Sequence, residues 1–308
     1  MARPLGSEGP RGADSPSAAD VAGRDIRVSC RAAVSFESDT ALRPAGEGTW
    51  EGMIAPGWDT PRGPLGGYVM AIMMRGLELA VADPERQPRS VTMHFLRVPE
   101  AGPVTVSAKI EREGRSLTTV SGRMAQGGKP IGLALAAHSK PWEGPLLDDA
   151  PMPEADPPDP PDAPQASLER ADPPAFLQRL VMQHRFGPAP FSSADRGEIG
   201  GWLGIRGTQR LDALAVAVLT DAWFPAPWPR LLELAPAPTI ELTIHFRSPL
   251  PVEAELLLGR FTNSYVRDGF FEEDGALWAP DGTLVAQSRQ LGLLLGAKAP
   301  SAGPEAPQ

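Results

Sequence analysis

Two stretches of this chain are apolar almost all the way round, and each is followed by runs in which apolar and polar residues alternate. The first stretch is "GGYVMAIMMRGLELAVA" (66–82) and the second is "LDALAVAVLTDAW" (211–223). A surface helix keeps one polar face, so helices of this composition are expected to be buried. Glycines open the first, and Asp83-Pro84 follows it. Asp212 or Thr208 can cap the second, and Pro225 stops it. Behind the first lie the strand-like runs "GPVTVSAKIERE", "RSLTTVSGRMAQ" and "PIGLALAAHS". Behind the second lie "EAELLLGRFTNS", "DGFFEEDGALWAP" and "TLVAQSRQLGLLL". The separators "QGGK" and "PDGT" have hairpin-turn chemistry. Upstream, "EGTWEGMIAPGW" and "GEIGGWLGIRG" supply an opening strand for each set. A buried helix with antiparallel strands, twice over, predicts an α+β fold in which a sheet wraps around each helix.

The two sets echo each other in sequence. "VTMHFLRVP" (91–99) and "LTIHFRSPLP" (242–251) align Thr92 with Thr243, His94 with His245 and Phe95 with Phe246. A repeat this long points to duplication with pairing inside one chain, since solenoid periods are shorter. Between the halves, residues 143–174 are dominated by Pro and Asp and lack hydrophobic periodicity, which predicts a stiff, extended connection. The expected organisation is a tail over 1–30, a first half over 31–142, the linker over 143–174, a second half over 175–297 and a tail over 298–308. Both tails are rich in small residues and proline and read as disordered.

Composition narrows the chemistry. A net charge of −9 argues against binding nucleic acid through a basic face. The single cysteine, Cys30, allows neither a disulfide framework nor a cysteine metal cluster, and points to a reducing, cytosolic setting. No run of about 18 apolar residues exists to span a membrane, and the opening residues lack the apolar core of a secretory signal. There is no G-x-S-x-G elbow, no phosphate-binding P-loop and no convincing G-x-G-x-x-G. The four histidines show no H-x-x-x-H spacing, so a catalytic metal site is not expected. His94 and His245 read as sheet histidines at or near the junction of the halves. An anionic ligand would need a local arginine pocket, for which Arg62, Arg97, Arg247 and Arg289 are candidates.

Three segments, in this order, carry a resemblance. They are "GPLGGYVMAIMM" running into "RSVTMHFLRVPEAGPV", then "GRSLTTVSGRMAQGGKPIGLALAAHS", then "PTIELTIHFRSPLP" with "DGTLVAQSRQLGLL". From about residue 33 to 295 the chain resembles the acyl-CoA thioesterase II (TesB-like) family of double hotdog proteins. The resemblance implies two hotdog domains in one chain, each a central helix wrapped by an antiparallel sheet, with the sheets joined edge to edge. It implies hydrolysis of acyl-CoA thioesters without a metal or organic cofactor. Chains of this kind, each already a pseudo-dimer, are candidates for homo-oligomers. The family's catalytic acid, Thr and Gln fall on Asp221, Thr239 and Gln290. The chain departs from the family where Gly66-Gly67-Tyr68 replaces Gly-Gly-Gln, and in a short, proline-rich stretch between Asp221 and Thr239.

Taken singly, Asp221 is a helix-end acid, Thr239 an ordinary strand residue and Gln290 an outward polar side chain. Taken together, they suit thioester hydrolysis, which needs a held water, a proton acceptor and donors for an oxyanion. Asp221 among apolar neighbours at the negative end of a helix would have a raised pKa. Thr239 can donate to the carboxylate or the water, and Gln290 can both donate and accept. Backbone N–H groups of Gly67 and Tyr68, at the start of a helix, are the expected oxyanion donors. The alternative is a non-catalytic acyl-CoA or acyl-thioester binding protein on the same fold. A hotdog hydratase is disfavoured because "D-x-x-P-x-H" is missing.

Overall fold

A computed structural model describes residues 35–160 and 173–297. The expected tails over 1–30 and 298–308, and linker residues 161–172, lie outside them. In the first half the elements are α1 (Phe36–Asp39), β1 (Arg43–Gly46), β2 (Thr49–Ile54), β3 (Asp59–Thr60), β4 (Gly63–Pro64), α2 (Gly66–Val81), β5 (Gln87–Phe95), β6 (Gly102–Glu113), β7 (Leu117–Gln126) and β8 (Lys129–Ser139). In the second they are β9 (Leu180–Phe186), β10 (Gly197–Ile205), α3 (Ala213–Leu219), β11 (Thr239–Phe246), β12 (Leu257–Asn263), β13 (Val266–Arg267), β14 (Phe270–Trp278) and β15 (Leu284–Leu293).

One antiparallel sheet runs through both halves in the order β1-β2-β6-β7-β8-β5-β11-β15-β14-β12-β10-β9, with β13 paired to β14. The run β2-β6-β7-β8-β5 is matched by β10-β12-β14-β15-β11, so each half is a hotdog and the chain is a double hotdog. The halves meet where β5 pairs with β11. Thr92 faces Thr243 there, and their hydroxyls are 2.8 Å apart. In an antiparallel pair related by a twofold axis, only the residue at the axis stands opposite its own equivalent. The two threonines that the repeat aligns therefore mark the pseudo-twofold axis.

Beneath the sheet, α2 and α3 pack on each other, and every residue of α3 is buried. The helix expected over 211–223 is shorter than its apolar pattern. It ends at Leu219, where the Thr220 hydroxyl donates to the Ala217 carbonyl at 2.9 Å and Asp221 N–H reaches back only to Val218. Pro225, Pro227 and Pro229 then keep the chain from resuming an α-helix, and only a short 3-10 turn forms over Trp228–Arg230. Asp221 thus stands just beyond the helix.

The described part of the Pro/Asp linker is extended and docked. The indole N–H of Trp278 donates to the Ala150 carbonyl at 2.9 Å, and that of Trp202 to the Asp156 carbonyl at 2.8 Å. Gln183 exchanges two hydrogen bonds with the Asp159 backbone, and Arg185 pairs with the Asp159 carboxylate at 2.9 Å. Prolines lack an N–H and leave carbonyls free, which is what indole and guanidinium donors need. The strap also bonds Trp202 of β10, a strand buried along its whole length although it lies one strand from the sheet edge. Trp202→Phe should lower stability by about 0.5–1.5 kcal/mol and speed proteolysis within residues 150–160. Unchanged cleavage of that segment would show that the indole bond does not hold the strap.

Candidate active site

Helix α2 begins without a side-chain cap. Its N-cap is Leu65, and the first-turn residues are Gly66, Gly67 and Tyr68. Orphan N–H groups at a buried helix start need an acceptor from elsewhere. It comes from the other half: Gly67 N–H donates to Oδ2 of Asp221 at 2.7 Å. The glycines are required by this approach. A Cβ on Gly67 would lie 2.8 Å from the Ala217 carbonyl oxygen and 2.9 Å from Cβ of Asp221, and one on Gly66 would lie 3.0 Å from Oδ2. By contrast, α3 is capped within its own half by Asp212, which accepts from Ala215 N–H at 2.8 Å.

Asp221 borders a cavity of about 390 Å³ with Val69, Phe95, Phe176, Trp223, Phe224 and Trp228. Burial among these apolar groups raises its pKa from 3.8 to about 6, against the pull of the Gly67 and Gly66 N–H groups. Thr239 borders the same cavity. Strict alternation would place Thr239 on one face with Glu241 and Thr243, but a bulge between Thr239 and Glu241 breaks the register of β11 against β15. The hydroxyl of Thr239 consequently donates to Oε1 of Gln290 at 2.7 Å. Gln290 itself lies on the buried face of β15 rather than outward, only 7% exposed.

One polar residue of this cluster escaped the sequence reading. Glu273 on β14 stands opposite Gln290 and accepts from its Nε2 at 2.6 Å. Its other oxygen accepts from Ala226 N–H at 2.5 Å. Burial lifts its pKa from 4.5 to about 7, with the two donors opposing and the Asp221 charge adding to the rise. The signal was available: counting back by twos from Leu277 puts Glu273 on the same face as Phe271, where a lone acid needs a partner.

The structure thus brings Asp221, Thr239, Gln290 and Gly67 together. The two backbone donors expected for an oxyanion are both engaged, Gly67 N–H with Asp221 and Tyr68 N–H with the Leu65 carbonyl at 3.1 Å. The Tyr68 side chain points away into the first-half core. It stacks on Trp58 at 4.6 Å, donates to the Asp39 carbonyl and accepts from Ala55 N–H. Of the four arginines, Arg62 and Arg97 line the cavity. Arg247 and Arg289 instead bond Gln287 and Asp274 on the sheet. His94 and His245 lie on the central strands and are exposed.

Residues 54–139 match the family model of an acyl-CoA thioesterase N-terminal domain, and residues 151–294 that of the C-terminal domain. Among solved structures, the chain is similar to a thioesterase II of provisional assignment from Thermobifida fusca YX. The two are 30% identical with a TM-score of 0.66, over 84% of this chain and 97% of that one. A hot dog fold protein of unknown function from Alicyclobacillus acidocaldarius is 26% identical at a TM-score of 0.74, over 86% and 98%. The acyl-CoA thioesterase II TesB2 of Mycobacterium marinum shares the fold at 20% identity and a TM-score of 0.67, over 87% and 99%. No curated protein matches the sequence significantly.

Gly67→Ala tests the junction at the start of α2. The atoms its Cβ would meet are backbone or the root of a side chain, so the helices must separate. A loss of about 1–3 kcal/mol is expected by chemical denaturation. Full stability would mean that the close approach is not required.

Proposed function

Because the chain belongs to the acyl-CoA thioesterase family, we propose that it hydrolyses acyl-CoA to free acid and CoA, using Asp221 as the base for an attacking water. The observation that carries this reading is a carboxylate with a raised pKa, tied to an uncapped helix start, in the wall of an apolar cavity it shares with Thr239. The aromatic wall accepts the acyl chain, and Arg62 and Arg97 offer positive charge to CoA phosphates. Water bound between Asp221, Thr239 and Gln290 attacks the thioester carbon while Asp221 takes its proton. As Asp221 becomes neutral, its hold on Gly67 N–H weakens. That amide, at the positive end of α2, then becomes available to the oxyanion. Collapse breaks the carbon–sulfur bond, and the departing thiolate takes the proton from Asp221. Tyr68 serves as an anchor of α2 and has no part in the chemistry.

The test is thiol release across acyl-CoA chain lengths. Asp221→Asn should lower kcat by about 10²–10⁴-fold with the fold intact. Because the ionised form is the base, kcat/KM should fall as pH drops through about 6. Equal turnover by Asp221→Asn would refute the base, and no release from any chain length would refute the activity.

A further inference from the structure

Glu273 is a buried acid that the mechanism above does not use. It is 5% exposed and lies on the β14 face that also carries Phe271 and Leu277. Both oxygens are occupied as acceptors, one by Gln290 Nε2 at 2.6 Å and the other by Ala226 N–H at 2.5 Å. An amide side chain can face a neighbour in either of two ways, but a carboxylate can only accept. The nitrogen of Gln290 must therefore face Glu273, and its oxygen must face Thr239, whose hydroxyl donates to it.

We propose that Glu273 is a positioning residue that fixes the Gln290 amide and, through it, the direction of the Thr239 hydroxyl. The inference rests on the reading that Asp221, Thr239 and Gln290 hold the attacking water. With its proton committed to Gln290, Thr239 presents only lone pairs to the water. Asp221 is a second acceptor, and the remaining Nε2 hydrogen of Gln290 is a donor. Two acceptors and one donor hold both protons and one lone pair of a water, leaving the other lone pair for the thioester carbon. A glutamine at 273 cannot do this. It would either set its NH₂ against the Ala226 N–H, or turn that oxygen to Ala226 and force Gln290 to flip. The flipped amide would donate to Thr239 and turn the hydroxyl proton into the site, where the water needs an acceptor.

Glu273→Gln should lower kcat by about 10- to 100-fold with KM changed less than about threefold. Glu273→Asp, still accepting with both oxygens, should recover part of the loss. In a Gln290→Ala background, Glu273→Gln should cost nothing further, because the acid acts through that amide. Unchanged kcat in the single variant, or losses that multiply in the double, would overturn the proposal. A second readout does not depend on turnover. The side-chain amide NMR signal that vanishes in Gln290→Ala should lie downfield in the wild type and return to the ordinary glutamine region in folded Glu273→Gln. An unmoved signal overturns the proposal even if the protein releases no thiol, an outcome that would count against the activity alone.

Discussion

The hydrogen bond from Gly67 N–H to Asp221 Oδ2 solves two problems at once. A helix starting without a side-chain cap has N–H groups in need of an acceptor, and a carboxylate among Phe and Trp side chains makes no ion pair among the described residues. Each supplies what the other lacks. The solution dictates much of the surrounding sequence. α2 must start with residues lacking a Cβ, because the backbone of α3 lies within van der Waals distance of where one would be. α3 must end before residue 221, so that the carboxylate can swing across instead of running on along the helix. The threonine cap and the prolines after it enforce that ending.

The same bond shows why a nearly symmetric molecule carries one such centre among its described residues. Across the pseudo-twofold axis, the 151-residue offset that pairs Thr92 with Thr243 carries Thr239 onto Pro88. Val91 faces Ala136 as its equivalent Leu242 faces Gln290, so the amide's counterpart is an alanine. The start of α3 is already capped by Asp212 from within its own half, which takes the Ala215 N–H. One half supplies the donor end of a helix and the other supplies the acid, hydroxyl and amide. Joining the halves in one chain makes that division of labour possible.

How much of this could be read from the sequence depended on whether the signal was periodic or geometric. The buried helices and the main strands of both hotdogs followed from apolar periodicity, and the pseudo-twofold pairing followed from the repeat. Asp221, Thr239 and Gln290 were read from a resemblance, because singly none departs from ordinary residue usage. Three things were not readable in that way. The end of α3 was overrun because residues 220–223 still fit the apolar pattern, and only the bonds of the cap stop the helix. The bulge at Thr239 changes which face its hydroxyl meets, and no periodicity records a bulge. Glu273 sat in a charged run, "EEDG", that looks solvated until the alternation of β14 is counted through it. Tyr68 has a second role that no periodicity records. It was expected as a backbone donor at the site; its N–H lies on the Leu65 carbonyl, and its ring and hydroxyl bind the first-half core.

Two buried acids make this site a liability for the fold. The pKa of Asp221 rises from 3.8 to about 6 and that of Glu273 from 4.5 to about 7. Both folded-state values lie above the ordinary ones, so the folded chain binds more protons than the unfolded chain between about pH 4 and 7. Whatever these groups contribute to stability is fullest below that window and is lost as pH rises toward neutrality, where Asp221 becomes a base. The four N–H donors assigned to the pair, from Gly66, Gly67, Ala226 and Gln290, reduce that cost without abolishing it. Apolar residues of similar size at 221 and 273 would avoid the cost altogether. A fold that needed only a packed core would have no use for two acids where ionisation works against it, which is why this corner of the cavity is best understood through its chemistry.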